Sequence, residues 1–258
     1  MIIRGVFMYA LITGASSGIG KELAKQLALK NYDLIIVARR IEQLNQLKEE
    51  ICKTSPVDVV VKQCDLSAPE NCIKLVEECR EYHVTLVVNN AGFGKVGRFE
   101  EIPLEEELRM ISTNITALHI FTKLFSQSME QGLILNVGSI AGFQPDPMMS
   151  AYGASKAYVI KLSRAVNYEF KKHGKNVHLS VLCPGPVDTE FNKVANCTFN
   201  LRSISPKKCA KIALKGLFKK KDVIIPGFSE KLAHFLVKFV PTRLVLPIEI
   251  KMQSQKLK

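Results

Sequence analysis

The chain has 258 residues, 47% hydrophobic and 23% charged, which predicts one α/β domain with a sizeable core and excludes wholesale disorder. The net charge of +12 lies entirely in residues 193–258, where 15 Lys and Arg stand against three acids, so residues 1–192 are neutral. Seven cysteines without a CxxC pair or a secretory signal indicate reduced thiols of a cytoplasmic protein, and the five scattered histidines predict no metal site.

The first seven residues, MIIRGVF, precede the first predicted strand. Their apolar run is too short for a signal sequence or a membrane span. We interpret residues 1–7 as a leader that is not native, with translation beginning at Met8.

Short β-branched runs then alternate with longer amphipathic runs. Strands are predicted at 9–13, 34–38, 57–61, 85–89, 133–137, 178–182 and 222–226. Helices predicted between them include residues 20–30 and 106–129, and Ser205 is predicted to cap a helix that begins at Pro206. Nearly continuous apolar strands that alternate with helices indicate a parallel sheet covered on both faces.

A glycine-rich turn follows the first predicted strand and opens a helix. Gly14, Gly18 and Gly20 have the spacing G-x-x-x-G-x-G. Glycines let backbone N–H groups approach a pyrophosphate, and the helix N-terminus adds partial positive charge. The turn therefore predicts a dinucleotide site.

The second predicted strand is followed by two arginines. Arg39 and Arg40 stand where a site for NAD usually has an acid, and the first acid is Glu42. Because an arginine there accommodates a 2′-phosphate, NADP(H) is predicted in preference to NAD(H).

Five motifs in order resemble those of the classical short-chain dehydrogenase/reductase family. They are TGASSGIG (13–20), NNAG (89–92), NVGS (136–139), YGASK (152–156) and PGPVDT (184–189). The resemblance implies a Rossmann-type, doubly wound, seven-stranded parallel sheet in one catalytic domain, residues 8–227. The chain is also similar to a bacterial subgroup related to hydroxysteroid dehydrogenases and long-chain 3-ketoacyl reductases.

The same resemblance implies which residues form the site. The catalytic tetrad would be Asn114, Ser139, Tyr152 and Lys156. The cofactor would contact Tyr152, Lys156, Gly14, Ser16, Ser17, Gly18, Ile19, Gly20, Arg39, Arg40, Asp65, Leu66, Asn90, Ala91, Gly92, Pro184, Gly185, Val187 and Thr189. Among these, Asp65 would contact the adenine amino group, and Val187 and Thr189 would hold the nicotinamide carboxamide.

Tyr152 and Lys156 are four residues apart and so share one face of a helix. Reduction of a carbonyl by hydride builds negative charge on oxygen and needs a proton donor. We predict that the Lys156 ammonium lowers the tyrosine pKa, and a shift of about three units would take about 4 kcal/mol of differential stabilisation. Ser139 would polarise the substrate oxygen, and the resemblance implies that Asn114 lies at a backbone kink that holds a water linking Lys156 to solvent.

Residues 190–221 lie between the sixth and seventh predicted strands, and the family resemblance implies that this insertion forms a lid over the substrate. Phe191, Phe199 and Leu201 suggest an apolar lining. The predicted reaction is therefore ketone–alcohol interconversion on a lipophilic substrate, such as a steroid or a fatty ketone. Two alternatives stay open: a 3-oxoacyl thioester reductase of lipid metabolism, and a non-catalytic regulator that binds NADPH or docks on a membrane.

Residues 228–258 form a basic tail with an amphipathic segment that is predicted to stop at Pro241. The segment could cover the sheet, form a subunit contact or lie on a lipid surface. The positive charge could attract a phosphate-bearing substrate or an anionic membrane, or could be a solvated surface. No nucleic acid is predicted as a partner. The family resemblance implies a homodimer or homotetramer formed through helices near 105–129 and 153–170.

Overall fold

A computed structural model of the protein describes residues 8–191, 195, 203–237 and 239–254. The predicted leader, residues 1–7, lies outside the described residues, as do Phe199 and Leu201 of the predicted lid.

Seven parallel strands form a single sheet. They are β1 Tyr9–Thr13, β2 Asp33–Ala38, β3 Val59–Gln63, β4 Val84–Asn89, β5 Gln131–Val137, β6 Asn176–Leu182 and β7 Val223–Ile224. Their order is β3-β2-β1-β4-β5-β6-β7. The chain reverses its winding between β1 and β4, which opens a crevice at the carboxyl ends of the strands. The predicted doubly wound sheet is confirmed.

Helices cover both faces of this sheet. They are α1 Gly18–Ala28, α2 Ile41–Cys52, α3 Pro69–Glu78, α4 Leu104–Ile111, α5 Leu118–Ser128, α6 Ser150–Lys172, α7 Pro206–Phe218, α8 Phe228–Val237 and α9 Thr242–Ser254. The long helix predicted at 106–129 is interrupted by a π-helical turn, Ser112–Ala117. Ser205 caps α7 as predicted, because its hydroxyl accepts a hydrogen bond from the Lys208 N–H at 3.2 Å. Helix α9 was not predicted.

The core has two layers because the side chains of each strand alternate between the faces of the sheet. Ala10 and Ile12 of β1 pack with residues of α1, α2 and α7, whereas Leu11 packs with residues of α3 and α5. Every residue of β2 and of β4 is buried. This explains the nearly continuous apolar character of the strands in the sequence.

A chain of buried polar side chains joins the central strands to α6. The Asn89 amide donates to Asn136 Oδ1 at 2.8 Å, and the Asn136 amide donates to Ser163 Oγ at 3.0 Å. Thr122 of α5 also donates to Asn136 Oδ1, at 3.3 Å. Because buried polar groups are costly without partners, these bonds fix α6 against β4 and β5.

Candidate active site

A cavity of about 810 Å³ lies at the carboxyl ends of the strands. Of all the residues predicted for the site, only Gly20 and Asn114 do not line it. The sheet therefore brings together side chains that are distant in sequence, since the strands β1, β2, β4, β5 and β6 all end at this edge.

The loop between β1 and α1 has the backbone shape that its glycines predict. Gly14 and Gly18 have φ values of +66° and +56°, in the left-handed region. A Cβ atom on Gly14 would lie 2.8 Å from Asn90 Nδ2, and this amide donates to the Thr13 and Gly14 carbonyls at 3.0 and 3.1 Å. A Cβ on Gly20 would strike the Gly14 carbonyl, so Gly20 supports the loop from behind.

This loop fits a dinucleotide. The N-terminus of α1, with its unpaired N–H groups, opens at Gly18 beside the cavity. Because the packing around Gly14 leaves no space for a side chain, backbone atoms form the cavity wall at this position. A pyrophosphate is the group that such a wall binds best.

Arg40 lies at the mouth of the cavity and already has two partners. Its guanidinium donates to Ser16 Oγ at 3.1 Å and forms an ion pair with Glu190 at 2.9 Å. Glu190 is the first residue of the predicted lid. The arginine that was predicted to hold a 2′-phosphate is therefore tied to the start of the lid.

Asp65 lies at the same end of the cavity. Burial raises the pKa of its carboxyl, but hydrogen bonds from Ser67 and the charges of Arg39 and Arg109 outweigh this effect, so the pKa is lowered. The Ser67 N–H and hydroxyl donate to Asp65 Oδ1 at 3.0 and 2.9 Å. Asp65 is thus a fixed anionic acceptor, as contact with an amino group requires.

The first turns of α6 place Tyr152 and Lys156 in the cavity wall. Tyr152 is 8% exposed and Lys156 is 4% exposed. Lys156 Nζ lies 5.7 Å from the centre of the Tyr152 ring and donates to the Val137 carbonyl at 2.8 Å. The Ser139 side chain hydrogen-bonds the Tyr152 phenol. The structure therefore brings Ser139, Tyr152 and Lys156 together, as predicted.

The predicted direction of the tyrosine pKa shift is wrong in this structure. Burial raises the pKa of Tyr152 to about 12, although the hydrogen bond with Ser139 opposes this rise. Burial also lowers the pKa of Lys156 to about 8. The prediction counted the charge of Lys156 but not the loss of water around both groups, and this loss dominates.

Asn114 lies in the π-helical turn Ser112–Ala117 and is fully buried. Its Oδ1 accepts from the Phe93 N–H at 3.1 Å, and its amide donates to the Phe93 carbonyl at 2.9 Å and to Ser155 Oγ at 3.1 Å. The backbone irregularity predicted at Asn114 is confirmed, and these bonds fix the strand-to-helix loop at Phe93 to α6.

Gly92 lies between Asn114 and Lys156. A Cβ atom at this position would be 2.9 Å from Asn114 Oδ1 and 3.4 Å from Lys156 Nζ. The two side chains therefore approach each other behind the cavity wall. The water relay between them stays a prediction.

Sequence reasoning missed part of the cavity lining. The unpredicted lining residues are Phe93, Arg109, Thr113, Val137, Gly138, Ile140, Ala141, Phe143, Gln144, Pro145, Asp146, Met149, Pro186, Glu190, Glu230, Glu249 and Gln253, together with Ala38 and Cys64. Phe191 of the lid segment lines the cavity as predicted, whereas Glu190 of the same segment was not predicted as a lining residue. Glu230, Glu249 and Gln253 belong to the tail, which was predicted as a segment separate from residues 8–227. No motif marks the tail residues, so only the folded chain reveals them.

A Rossmann-type sheet that carries a dinucleotide-binding loop and a buried Tyr–Lys pair is typical of oxidoreductases that use a nicotinamide cofactor. A profile of the family described as short chain dehydrogenase matches residues 8–198, and the chain belongs to this family.

Two relatives and one solved structure illustrate the similarity. The chain is 33% identical to 17-beta-hydroxysteroid dehydrogenase type 3 of Rattus norvegicus over 199 residues, 75% of this chain and 64% of that protein. It is 31% identical to very-long-chain 3-oxoacyl-CoA reductase of Kluyveromyces lactis over 257 residues, 91% of this chain and 72% of that protein. The short-chain dehydrogenase from Sphingobium yanoikuyae in complex with NADPH has a TM-score of 0.80 and 31% identity, and the match covers 91% of this chain and 97% of that chain. The predicted relation to hydroxysteroid dehydrogenases and ketoacyl reductases is confirmed.

The buried ammonium of Lys156 predicts a specific dependence of stability on pH. Its pKa is about 8 in the folded chain, against 10.5 ordinarily, so between these values the unfolded chain holds a proton that the folded chain lacks. Stability therefore rises with pH through this window, and the penalty of at most about 3 kcal/mol is fully present below pH 8. The substitution Lys156→Met removes this penalty, because methionine carries no charge.

We expect Lys156→Met to raise the free energy of urea unfolding by about 2 kcal/mol at neutral pH, with a smaller gain at the alkaline end of the window. Lys161→Met, at an exposed position of the same helix, is the matched control and should change little. A Lys156→Met protein less stable than the wild type at neutral pH contradicts the assignment.

Proposed function

We propose that the protein is an NADP(H)-dependent oxidoreductase that interconverts a ketone and a secondary alcohol on a lipophilic substrate, with Tyr152 as general acid and base. The observation that carries the proposal is the buried contact of Tyr152 with Ser139, beside Lys156, in a cavity that begins at a dinucleotide loop. The printed names of the relatives, a steroid dehydrogenase and a 3-oxoacyl-CoA reductase, support a carbonyl on a lipophilic molecule.

Each side chain has a role that follows from its position. Tyr152 holds its proton at neutral pH, since burial raises its pKa, and gives this proton to the carbonyl oxygen as negative charge develops there. Ser139 donates a hydrogen bond to the same oxygen. Lys156 stabilises the phenolate that remains, and the backbone irregularity at Asn114 would hold the water through which the pair recovers a proton. The nicotinamide, when bound, supplies the hydride.

The cofactor would be held along the wall already described. The loop Gly14–Gly20 would bind the pyrophosphate, Asp65 the adenine amino group, and Val187 with Thr189 the nicotinamide carboxamide. Arg39 and Arg40 support the preference for NADP(H), since both line the cavity beside Ser16. The NADPH in the similar Sphingobium structure supports the same choice.

A 3-oxoacyl-CoA reductase is the second candidate, because the match to the Kluyveromyces protein covers 91% of this chain. The first candidate is placed ahead because Phe143, Met149 and Phe191 of the cavity wall suit any apolar skeleton and do not require a thioester. A strict requirement of activity for a phosphopantetheine thioester would reverse this order. A non-catalytic regulator is disfavoured because simple binding has no need of Tyr152.

We predict that Tyr152→Phe lowers kcat at least about a thousandfold, because the phenylalanine has no proton to give. The affinity for NADPH, measured by nicotinamide fluorescence, should change less than about threefold. Tyr158→Phe, at a position that is 36% exposed and six residues further along α6, is the matched control and should keep full activity. Normal ketone reduction by a folded Tyr152→Phe protein contradicts the mechanism.

The ion pair of Arg40 with Glu190 predicts competition with the 2′-phosphate. Both side chains are about half exposed, so the effect is modest. Glu190→Gln should lower the KM for NADPH about threefold and leave the KM for NADH unchanged. The reason is that only NADPH carries a 2′-phosphate, which competes with the Glu190 carboxylate for Arg40. Arg40→Ala should raise the KM for NADPH alone. Equal effects on NADPH and NADH in steady-state kinetics would reject the NADP(H) assignment.

We also propose that the protein is cytoplasmic and that α8 and α9 dock peripherally on an anionic membrane. Exposed apolar side chains of these helices and their link are Leu232, Phe235, Leu236, Phe239, Val240, Leu244, Ile248 and Ile250. Exposed Lys231, Arg243 and Lys251 accompany them. Within the described ranges, no helix is long and apolar enough to cross a bilayer.

Flotation with vesicles tests the membrane contact. The wild type should float with vesicles that contain phosphatidylserine, and the double variant Phe235→Glu with Phe239→Glu should stay in the dense fraction, because charge replaces the apolar contact. Phe99→Glu, at a position 64% exposed but outside the tail, is the matched control and should float. If the double variant floats as the wild type does, the proposal fails.

We propose further that the protein is a homodimer or homotetramer. Exposed apolar side chains on α4 and α6 support a subunit contact: Leu104, Leu108, Ile111 and Tyr158 are 36–66% exposed. Sedimentation velocity should give a dimer or a tetramer, and Leu108→Glu should weaken it. A monomeric wild type at micromolar concentration contradicts this proposal.

A further inference from the structure

The first residues of the lid segment contact Tyr152 directly. The centre of the Phe191 ring lies 5.4 Å from the centre of the Tyr152 ring, and the two ring planes meet at 54°. Aromatic pairs prefer such a tilted arrangement. Both side chains line the cavity, and they pack in one small apolar cluster with Val96, Met110 and Met149. The lid therefore covers part of the phenol ring in this structure.

Gly94 supplies the space in which the two rings meet. It lies in the loop after β4 and is buried. A Cβ atom at this position would lie 2.8 Å from Phe191 Cζ, 3.0 Å from Tyr152 Cδ2 and 3.2 Å from Tyr152 Cγ. Because carbon atoms pack at about 3.5 Å or more, any side chain on Gly94 would displace at least one of the rings. Cγ is the ring atom farthest from the hydroxyl, so the loop contacts the phenol at the end away from its proton.

Backbone hydrogen bonds hold Phe191 against this loop. The Phe191 N–H donates to Thr189 Oγ1 at 3.2 Å, and the Phe191 carbonyl accepts from the Ala195 N–H at 2.8 Å. The Ala195 carbonyl in turn accepts from the Val96 N–H at 3.3 Å, two residues after Gly94. The start of the lid is thus tied both to the loop that carries Gly94 and to the threonine that was predicted to hold the nicotinamide carboxamide.

We infer that Phe191 is a positioning residue, which holds the Tyr152 ring from the side of the lid while Gly94 leaves room for both rings. The hydroxyl lies at the far end of the ring, so a tilt of the ring moves the proton away from the carbonyl oxygen. A misplacement of about 1 Å in a reacting group can cost about a hundredfold in rate. This inference rests on the proposed function, since it concerns the proton donor of the same site.

Removal of the aromatic ring tests the inference. Phe191→Ala should lower kcat about tenfold for small and bulky ketones alike, because the same phenol serves every substrate. The affinity for NADPH should stay within about twofold, and Phe191→Leu should keep at least about half of kcat, because leucine fills most of the space. Phe99→Ala, at a position that is 64% exposed, is the matched control and should keep full activity. A loss confined to the KM of bulky ketones means that Phe191 only lines the cavity and overturns the inference.

Gly94→Ala tests the same contact from the opposite side. It should lower kcat at least about tenfold, because the new methyl group would push on both rings. Adding Phe191→Leu should recover about threefold or more of this loss, because leucine lacks the Cζ atom that the methyl group meets. Gly97→Ala, in the same loop, places its Cβ 3.2 Å from Ile102 Cγ1 and should keep the wild-type kcat. A double variant no faster than Gly94→Ala alone overturns the inference.

A cycle with Tyr152→Phe separates the inference from the proposed function. The double variant Tyr152→Phe with Phe191→Ala should turn over no more slowly than Tyr152→Phe alone, because a positioning residue has no effect once its proton donor is gone. Losses that multiply overturn the inference. An inactive Tyr152→Phe together with full kcat in Phe191→Ala also overturns it and leaves the proposed function standing. Normal activity of Tyr152→Phe defeats the proposed function, and the inference falls with it.

Discussion

Desolvation of Tyr152 and Lys156 governs the chemistry of this site. Burial raises the pKa of the phenol to about 12 and lowers that of the ammonium to about 8. Near neutral pH the pair is therefore a phenol beside a cation, which is the state that a proton donor for carbonyl reduction requires. The Val137 carbonyl and the Ser139 hydroxyl replace the lost water. The surrounding fold holds this pair in place at a cost in stability.

Two groups of polar side chains keep α6 in position. Asn136 connects β5 to Ser163 in the middle of α6, and Asn114 connects the loop after β4 to Ser155 near its start. Each group is buried, so loss of one partner would leave another unsatisfied. The register of α6 against the sheet, and with it the position of Tyr152, is thus specified by directional bonds in addition to apolar packing.

The sequence was sufficient to predict those elements whose structure depends on a local pattern of residues. Apolar runs predicted all seven strands within a few residues, although β3 begins at Val59 and not at residue 57. Contacts between distant segments were not predictable. Gln253 meets Asp146 across 107 positions, and the pKa of Tyr152 depends on burial that only the folded chain creates.

The most direct test is NADPH consumption by the wild type with a panel of bulky steroid, fatty and acyl-thioester ketones at neutral pH, with the product identified by mass spectrometry. The account predicts that NADPH loss equals the formation of a secondary alcohol for at least one steroid or fatty ketone. A folded protein that binds NADPH but converts no ketone of the panel would contradict it.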